Sequence, residues 1–380
     1  MAVRYFFALE GWRGIAACMI LLLHLTDLMR VQTHIADINI VSNSFLFVDF
    51  FFVLSGFILT YQYAEKIIDK YNKGMSFVVY FLRRVGRLYP LHLTIIIISI
   101  FLETLRYVFD GTVGEVTGDA FPEGKGGFEV LLEFLLLEGI TQGLTEHDSL
   151  WNPPAWSVSV EFYLNIILFF IFIVKNNKYI FALSLFFGLF ALYFFPETQH
   201  TNVLRGVTCL AAGVLTYYLF RYTEKKFQFN YNLNSLVAFS VLEILSIATM
   251  VKFLDSQVHN VYLHSPFVFS LVVLIFAYQN GIIGRMLNFR FFRTLGTLSY
   301  SIYLIHWNML LTIYAGLFVL DRKMGAIDLF NKNGDMDLTL FQGDLVILIL
   351  FVGVIGVSFL SYHIIEAPAR HWFKKISQKF

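Results

Sequence analysis

The stretch LEGWRGIAACMILLLH, residues 9–24, lies in the first long apolar segment of the chain and contains two basic side chains. Arg13 and His24 are eleven residues apart, so on a helix with about 100° per residue they share one face. At 1.5 Å per residue they are separated by about 16 Å along the axis. An ionisable group at the centre of a membrane span costs roughly 2.5–3.5 kcal/mol by insertion scales. Two such groups on one face therefore indicate a polar site inside a helical bundle.

The composition is typical of a membrane protein. Of the 380 residues, 57% are hydrophobic and 14% are charged, whereas soluble domains have about 25% charged residues. The net charge of +1 gives no basis for nucleic-acid binding. Cys18 and Cys209 fall in apolar segments, so we expect neither a disulfide framework nor a metal site. No cleavage site follows the first apolar run, which predicts an uncleaved first span.

Apolar stretches of about 20 residues predict an all-α polytopic membrane protein, a bundle of about ten transmembrane helices. The predicted spans are 10–29, 44–63, 90–108, 156–174, 179–195, 203–220, 233–254, 265–284, 297–318 and 341–363. Lysine and arginine concentrate in alternate connections, within 64–89, 175–178, 221–226, 285–293 and 370–379. The positive-inside rule therefore places these connections, and both termini, in the cytoplasm.

Two further segments are predicted not to span. Residues 110–154 form the longest outer-side loop, and its apolar part at 130–140 is short and contains Glu133 and Glu138, which predicts a non-spanning helix. Residues 74–89 predict a basic interfacial helix on the cytoplasmic face, with Arg83, Arg84 and Arg87 on one side. These arginines are interpreted either as an anchor on anionic lipid or as a site for a phosphorylated cosubstrate, since guanidinium groups bind phosphate oxygens bidentately.

Polar residues recur at helical spacing in three more spans. They are Asp49, Gly56 and Thr60 in the second span, Ser157, Glu161 and Asn165 in the fourth, and Ser299, Tyr303 and His306 in the ninth. We expect these faces to meet the Arg13–His24 face in one interior. The alternatives are interfacial positions for Asp49 and Glu161 and a packing role for His24. Two glycine pairs, 11 with 14 and 353 with 356, are expected to permit close helix packing.

Six motifs in order resemble those of the acyltransferase-3 family, the integral-membrane acyltransferases that O-acylate bacterial glycans. They are LEGWRG at 9–14 continuing to His24, DFFFVLSGF at 49–57, RVGRLYP at 84–90, WSVSVE at 156–161, SYSIYLIH at 299–306 and EAP at 366–368. Glu10 stands where the family often has Asp, which keeps the charge. The resemblance covers residues 1–380 as a single membrane domain, and no fused soluble domain is expected.

The resemblance implies an acyl-CoA-dependent O-acyltransferase of the bacterial inner membrane. A short acyl group, expected to be acetyl, would pass from cytoplasmic acetyl-CoA to a hydroxyl of a cell-surface or lipid-linked carbohydrate, with no metal involved. The acceptor glycan and the oligomeric state, a homodimer included, stay open. The rival interpretation is a transporter or flippase of a lipid-linked sugar or small anion, in which the same intramembrane charges bind substrate or protons.

In this scheme His24 is the general base, because its pKa suits proton transfer near neutral pH. Asp49 or Glu161 is expected to orient the imidazole, and an acyl-histidine intermediate is the alternative. The expected acyl-CoA contacts are Arg13, Arg84, Arg87, Tyr89, Tyr303 and His306. Of these, Tyr303 or His306 is expected to donate to the developing oxyanion.

Overall fold

The computed structural model describes residues 4–68, 75–108, 126–141, 151–195, 201–227, 232–256, 260–322 and 324–380. Helices make up nearly all of this part of the chain, which contains isolated β-bridges but no strand. In chain order the principal helices are α1 (Phe7–Leu28), α2 (Phe47–Leu59), α3 (Phe77–Val108), α4 (Gly127–Phe134), α5 (Glu138–Thr141), α6 (Ala155–Ile173), α7 (Lys178–Phe194), α8 (Thr201–Phe227), α9 (Leu233–Asp255), α10 (Val261–Ala277), α11 (Arg290–Arg322), α12 (Leu340–Ser361) and α13 (Ala367–Ser377).

The predicted class, an all-α polytopic membrane protein, is confirmed. Within the described ranges, eight helices are long and apolar enough to cross a bilayer, and α7 and α10 are shorter apolar helices of 17 residues. Helices occupy all ten predicted spans. The count of ten crossings and the cytoplasmic position of both termini stay predictions, because α7 and α10 fall short of a full span.

The described part of the basic segment 74–89 is not a helix of its own, so that part of the prediction is wrong, while its position at the cytoplasmic interface stays a prediction. Residues from Phe77 onward are the first half of α3, which continues through Pro90 to Val108. Tyr80 and Leu88 are buried, and Gly86 lies directly against the Phe373 side chain of α13. The segment therefore packs against α13. It continues into the bundle as the first half of one long helix.

The helices α4 and α5 are too short to cross a bilayer, at 8 and 4 residues and 1.5 Å per residue. They pack against the start of α6: the Oγ of Ser159 donates to the carbonyl of Leu136 and accepts from the amide of Gly139. Burial, together with neighbouring Glu133, raises the pKa of Glu138 well above its usual range, which favours the neutral acid. The position of this pair on the outer side stays a prediction.

Helices α1 and α11 cross at a point where both backbones lack side chains. A Cβ on Gly296 would overlap the carbonyl oxygen of Glu10, and one on Gly14 would lie 2.7 Å from the Gly296 nitrogen. Such close approach strengthens the van der Waals attraction between membrane helices. Packing at the first predicted glycine pair is thus confirmed. The prediction for the other pair is wrong, because a Cβ on Gly356 meets nothing within 4 Å and one on Gly353 only Met309 at 3.6 Å.

A buried ion pair connects three other helices. Asp49 of α2 accepts hydrogen bonds from the Nε of Arg205 in α8 at 3.0 Å and the Oγ of Ser265 in α10 at 2.6 Å. The guanidinium of Arg205 also lies over the ring of Tyr262, 4.3 Å from its centroid. The Asp49 side chain is fully buried and that of Arg205 is 6% exposed. With water excluded, each charge depends on the other and on these few neighbouring contacts.

We expect Gly296→Ala to destabilise the protein, because the new methyl group forces α1 away from α11. The matched control is Gly316→Ala in the same helix, where a Cβ meets nothing within 4 Å. That change should be neutral or stabilising, since alanine favours a helix interior by about 1 kcal/mol over glycine. Thermal unfolding of the purified protein in detergent measures both. Equal melting temperatures for the two variants would contradict the close crossing.

We also expect Arg205→Met to lower stability by about 3–5 kcal/mol, because it leaves the Asp49 carboxylate buried without a cation. Asp49→Asn combined with Arg205→Met removes both charges and should recover much of the loss. Melting temperatures of the single and double variants test this. A double variant no more stable than Arg205→Met would show that the charge pair is not what the fold requires.

Candidate functional site

A cavity of about 340 Å³ lies among α1, α2, α3, α6, α11 and the segment that joins α12 to α13. It reaches the end of the bundle where the described chain begins, since Arg4 to Phe6 line it. Two π-helical turns, Thr60–Ala64 and Tyr362–Glu366, contribute lining residues. Such turns are rare and occur frequently at functional sites. Seven charged side chains line the cavity: Arg4, Glu10, Arg13, Arg87, Glu161, Glu366 and Arg370.

Most of these charges are compensated within the protein. The ion pairs are Arg4 with Glu224 at 2.6 Å, Arg13 with Glu10 at 3.2 Å and Arg370 with Glu366 at 3.3 Å. The guanidinium of Arg13 also donates to the Oγ of Ser299 at 3.1 Å, which connects α1 to α11. Glu161 accepts a hydrogen bond from Ser55 at 2.9 Å. The predicted placement of Arg13 and Glu161 in one polar interior is thus met by the structure.

Arg87 differs from the other arginines of the cavity. Its half-buried guanidinium has no hydrogen-bond or ion-pair partner among the described residues. Arg13, Arg84 and Arg370 repel it, and the Glu161 carboxylate attracts it without forming an ion pair. A partly buried cation without a direct partner is stabilised when an anion binds beside it. The cavity therefore presents an unpaired guanidinium to a ligand.

Arg84 was predicted to bind the same ligand, but it does not line the cavity. It is 4% exposed, its Nη2 donates to the Tyr63 hydroxyl at 2.9 Å, and its guanidinium lies 5.0 Å from the centre of that ring. Tyr89 also lies away from the cavity and donates to the carbonyl of Phe134 in α4. Of the predicted contacts in this segment, only Arg87 faces the space where a ligand fits.

His24 and His306 form a close pair between α1 and α11. The Nδ1 of His24 lies 3.0 Å from the Nε2 of His306, and the ring centroids are 4.8 Å apart. His306 is fully buried, and the edge of Trp307 packs on His24 at 5.4 Å. Arg13 and His24 both contact α11, so the shared helical face predicted from their spacing is correct.

Tyr303 separates this histidine pair from the cavity. It lines the cavity, and its hydroxyl is hydrogen-bonded to the Oγ of Ser157 at 2.8 Å. Its ring centroid is 6.0 Å from that of His306, which follows one helical turn later in α11. Neither histidine lines the cavity. Along α11, Tyr303 is thus the last residue that lines the cavity before His306.

The residue that contacts the imidazole of His24 is His306. Neither of the predicted carboxylates, Asp49 and Glu161, does so. Both oxygens of Asp49 are occupied by Arg205 and Ser265, while Glu161 faces the arginines of the cavity. Helical spacing shows which residues of one helix share a face, but it does not show which residue of another helix lies opposite. His306 was expected to contact acyl-CoA, and it instead lies behind Tyr303.

Five charged residues of the cavity and of its supporting helices were not predicted as site residues: Arg4, Glu10, Arg205, Glu366 and Arg370. Arg370 and Arg4 resemble ordinary basic residues at the end of a span, and Arg205 lies at the start of one. Glu10 and Glu366 had a signal, since each lies in a recognised motif. Among the described residues, no group of three or more His, Cys, Asp or Glu side chains could hold a metal ion.

Comparisons with known proteins identify the family. A family model described as an acyltransferase domain matches residues 6–363. An uncharacterized protein of Haemophilus influenzae is 24% identical over 257 residues, which is 62% of this chain and 99% of the relative. No solved structure matches the chain. Because the family match extends over nearly the whole chain and includes five of the six motifs, up to His306, this multi-pass membrane protein belongs to the acyltransferase-3 family of membrane acyltransferases.

Proposed function

We propose that the protein transfers a short acyl group, typically acetyl, from acyl-CoA to a hydroxyl of a cell-surface or lipid-linked carbohydrate. The observation that supports this most directly is the unpaired guanidinium of Arg87 in a cavity that is also lined by Tyr303, one helical turn before His306 of the histidine pair. Transfer from a phosphorylated thioester requires an anion-binding group and a base near the same cavity.

In this proposal the donor phosphates bind Arg87, and the neighbouring Arg13 and Arg370 contribute positive potential. A guanidinium binds phosphate oxygens through paired, charge-assisted hydrogen bonds, which makes Arg87 suited to the CoA end. The lining also includes the apolar side chains of Val48, Phe51 and Val158, and the Phe51 ring packs against Tyr303. At about 340 Å³ the cavity is at the small end of ligand pockets. It therefore suits the pantetheine arm with a short acyl group rather than a long acyl chain.

The chemistry we propose is direct transfer with His24 as general base. Its Nε2 accepts the proton of the acceptor hydroxyl while the oxygen attacks the thioester carbonyl. The new C–O bond forms, the C–S bond breaks, and the departing thiolate takes the proton back from the imidazole. The step is balanced without a metal or a redox group. Tyr303 is placed to donate to the carbonyl oxygen as negative charge develops on it, once its hydrogen bond to Ser157 is exchanged.

The predicted topology gives the two substrates separate approaches. With the N-terminus in the cytoplasm, the Arg4 end of the cavity admits acyl-CoA from the cytoplasmic side. His24 lies in the outer half of α1, where an acceptor hydroxyl from the opposite side can approach. The protein would then move an acyl group across the bundle without moving CoA itself.

We expect His24→Ala to reduce acyl transfer by about 10²–10⁴-fold, the usual contribution of a positioned base. The matched control is His264→Ala, since that histidine is exposed at the start of α10. Both variants are reconstituted in proteoliposomes with labelled acetyl-CoA and a glycan acceptor, and labelled ester is counted. Full transfer by His24→Ala would refute the assignment of the base. Vectorial uptake of label without ester formation would instead support the transporter.

Arg87 and Arg84 should respond differently to substitution. Arg87→Ala should weaken CoA binding by roughly 10- to 100-fold, equivalent to a charged hydrogen bond of about 1.5–3 kcal/mol, while the melting temperature stays level or rises. Arg84→Ala should lower the melting temperature, because it removes the buried partner of Tyr63. Titration calorimetry with CoA and thermal unfolding separate the two effects. Unchanged CoA affinity in Arg87→Ala would contradict the donor site.

A further inference from the structure

We infer that His306 is a positioning residue, which holds the neutral imidazole of His24 as the Nδ1–H tautomer and leaves Nε2 as its basic nitrogen. His306 acts through a hydrogen bond inside the bundle and does not contact substrate. Its catalytic meaning rests on the proposed role of His24, but the tautomer itself is a property of the protein alone.

The protonation of His306 follows from its backbone contact. Its Nδ1 lies 3.0 Å from the carbonyl oxygen of Ile302, one turn earlier in α11. A carbonyl oxygen only accepts, so Nδ1 must carry the hydrogen. In a neutral imidazole the other nitrogen is then an acceptor. The Nε2 of His306 therefore presents a lone pair towards α1.

The protonation of His24 follows in turn. Its Nδ1 lies 3.0 Å from that lone pair and 3.1 Å from the carbonyl oxygen of Ile20. Both partners are acceptors, so Nδ1 of His24 must be the donor to one or both of them. Its Nε2 is then unprotonated, and it has no hydrogen-bond partner among the described residues.

The opposite arrangement is unfavourable at both ends. If Nε2 of His306 donated to His24, the Nδ1 lone pair of His306 would face the Ile302 oxygen at 3.0 Å. The Nδ1 lone pair of His24 would likewise face the Ile20 oxygen at 3.1 Å. The two buried carbonyl oxygens would then lose the N–H donors of the histidine rings. Each would instead face a nitrogen lone pair, and this repulsion is strong in a low-dielectric interior.

A neutral imidazole does what a carboxylate does in many His-dependent enzymes, but without a charge. A carboxylate partner also fixes the tautomer of a histidine base, yet a buried anion requires its own compensation. Here the nearby carboxylates are already committed, Asp49 to Arg205 and Glu161 to Ser55 and the cavity. The edge of Trp307 limits tilting of the His24 ring on another side.

The test is ¹⁵N NMR of the full-length protein, labelled at histidine and held in lipid nanodiscs, without substrate. The His24 signals are assigned by their absence in His24→Ala. We expect wild-type His24 to show a protonated Nδ1 and an unprotonated Nε2. A wild-type spectrum with Nε2 protonated overturns the inference, and this measurement needs no His306 variant to fold and no activity.

Two variants give the kinetic readout. His306→Phe keeps a planar ring but removes the acceptor, so the tautomers of His24 should mix. kcat should then fall about 10- to 100-fold, a usual cost of losing a partner that orients an imidazole, with KM for acetyl-CoA unchanged. His306→Gln restores an acceptor oxygen and should recover part of kcat. A tautomer and kcat unaffected by His306→Phe would overturn the inference. Activity surviving in His24→Ala would instead refute the proposed base and leave the tautomer result standing.

Discussion

The close contact between α1 and α11 is the constraint on which the site depends. Gly14 and Gly296 allow the two backbones to touch, and this contact sets both the distance and the axial register of the helices. In that register Arg13 reaches Ser299, and His24 reaches His306 further along. The helices run in the same direction, because the contacts move from Ser299 to His306 along α11 as they move from Arg13 to His24 along α1. A side chain at the crossing would separate both pairs at once.

The distribution of charge explains why a polar cavity is tolerated in an apolar bundle. Arg4, Arg13 and Arg370 each have a carboxylate partner, and the buried Asp49 has Arg205. Pairing offsets part of the free-energy cost of removing each charge from water, and loss of one partner would leave the other charge uncompensated. Arg87 differs, because it has no ion-pair partner among the described residues and its electrostatic neighbours are three arginines and the Glu161 carboxylate. A bound anion would give Arg87 a direct partner, so this position favours a phosphorylated donor.

The fold also separates the functions of residues that are adjacent in sequence. Arg84 and Arg87 are three residues apart on α3, yet one is buried against Tyr63 and the other faces the cavity. Tyr303 and His306 are three apart on α11, yet only the first lines the cavity. Arg84 supports the bundle and His306 contacts the proposed base, whereas Arg87 and Tyr303 are available to a ligand. A motif read as one unit thus divides into a binding part and a structural part.

The sequence alone determined the helical class, the positions of the apolar segments, and the polar face that Arg13 and His24 share. These are local properties, because apolar length and the 3.6-residue period depend only on neighbouring residues. Only the tertiary structure decided that His306 faces His24, that Asp49 pairs with Arg205, and that the basic segment before Pro90 is the half-buried first part of α3. Those outcomes depend on which helices pack together and in what register. Gly14 and Gly296 set the register of α1 against α11, but they do so only when the two helices, which are far apart in sequence, are packed together in the folded protein.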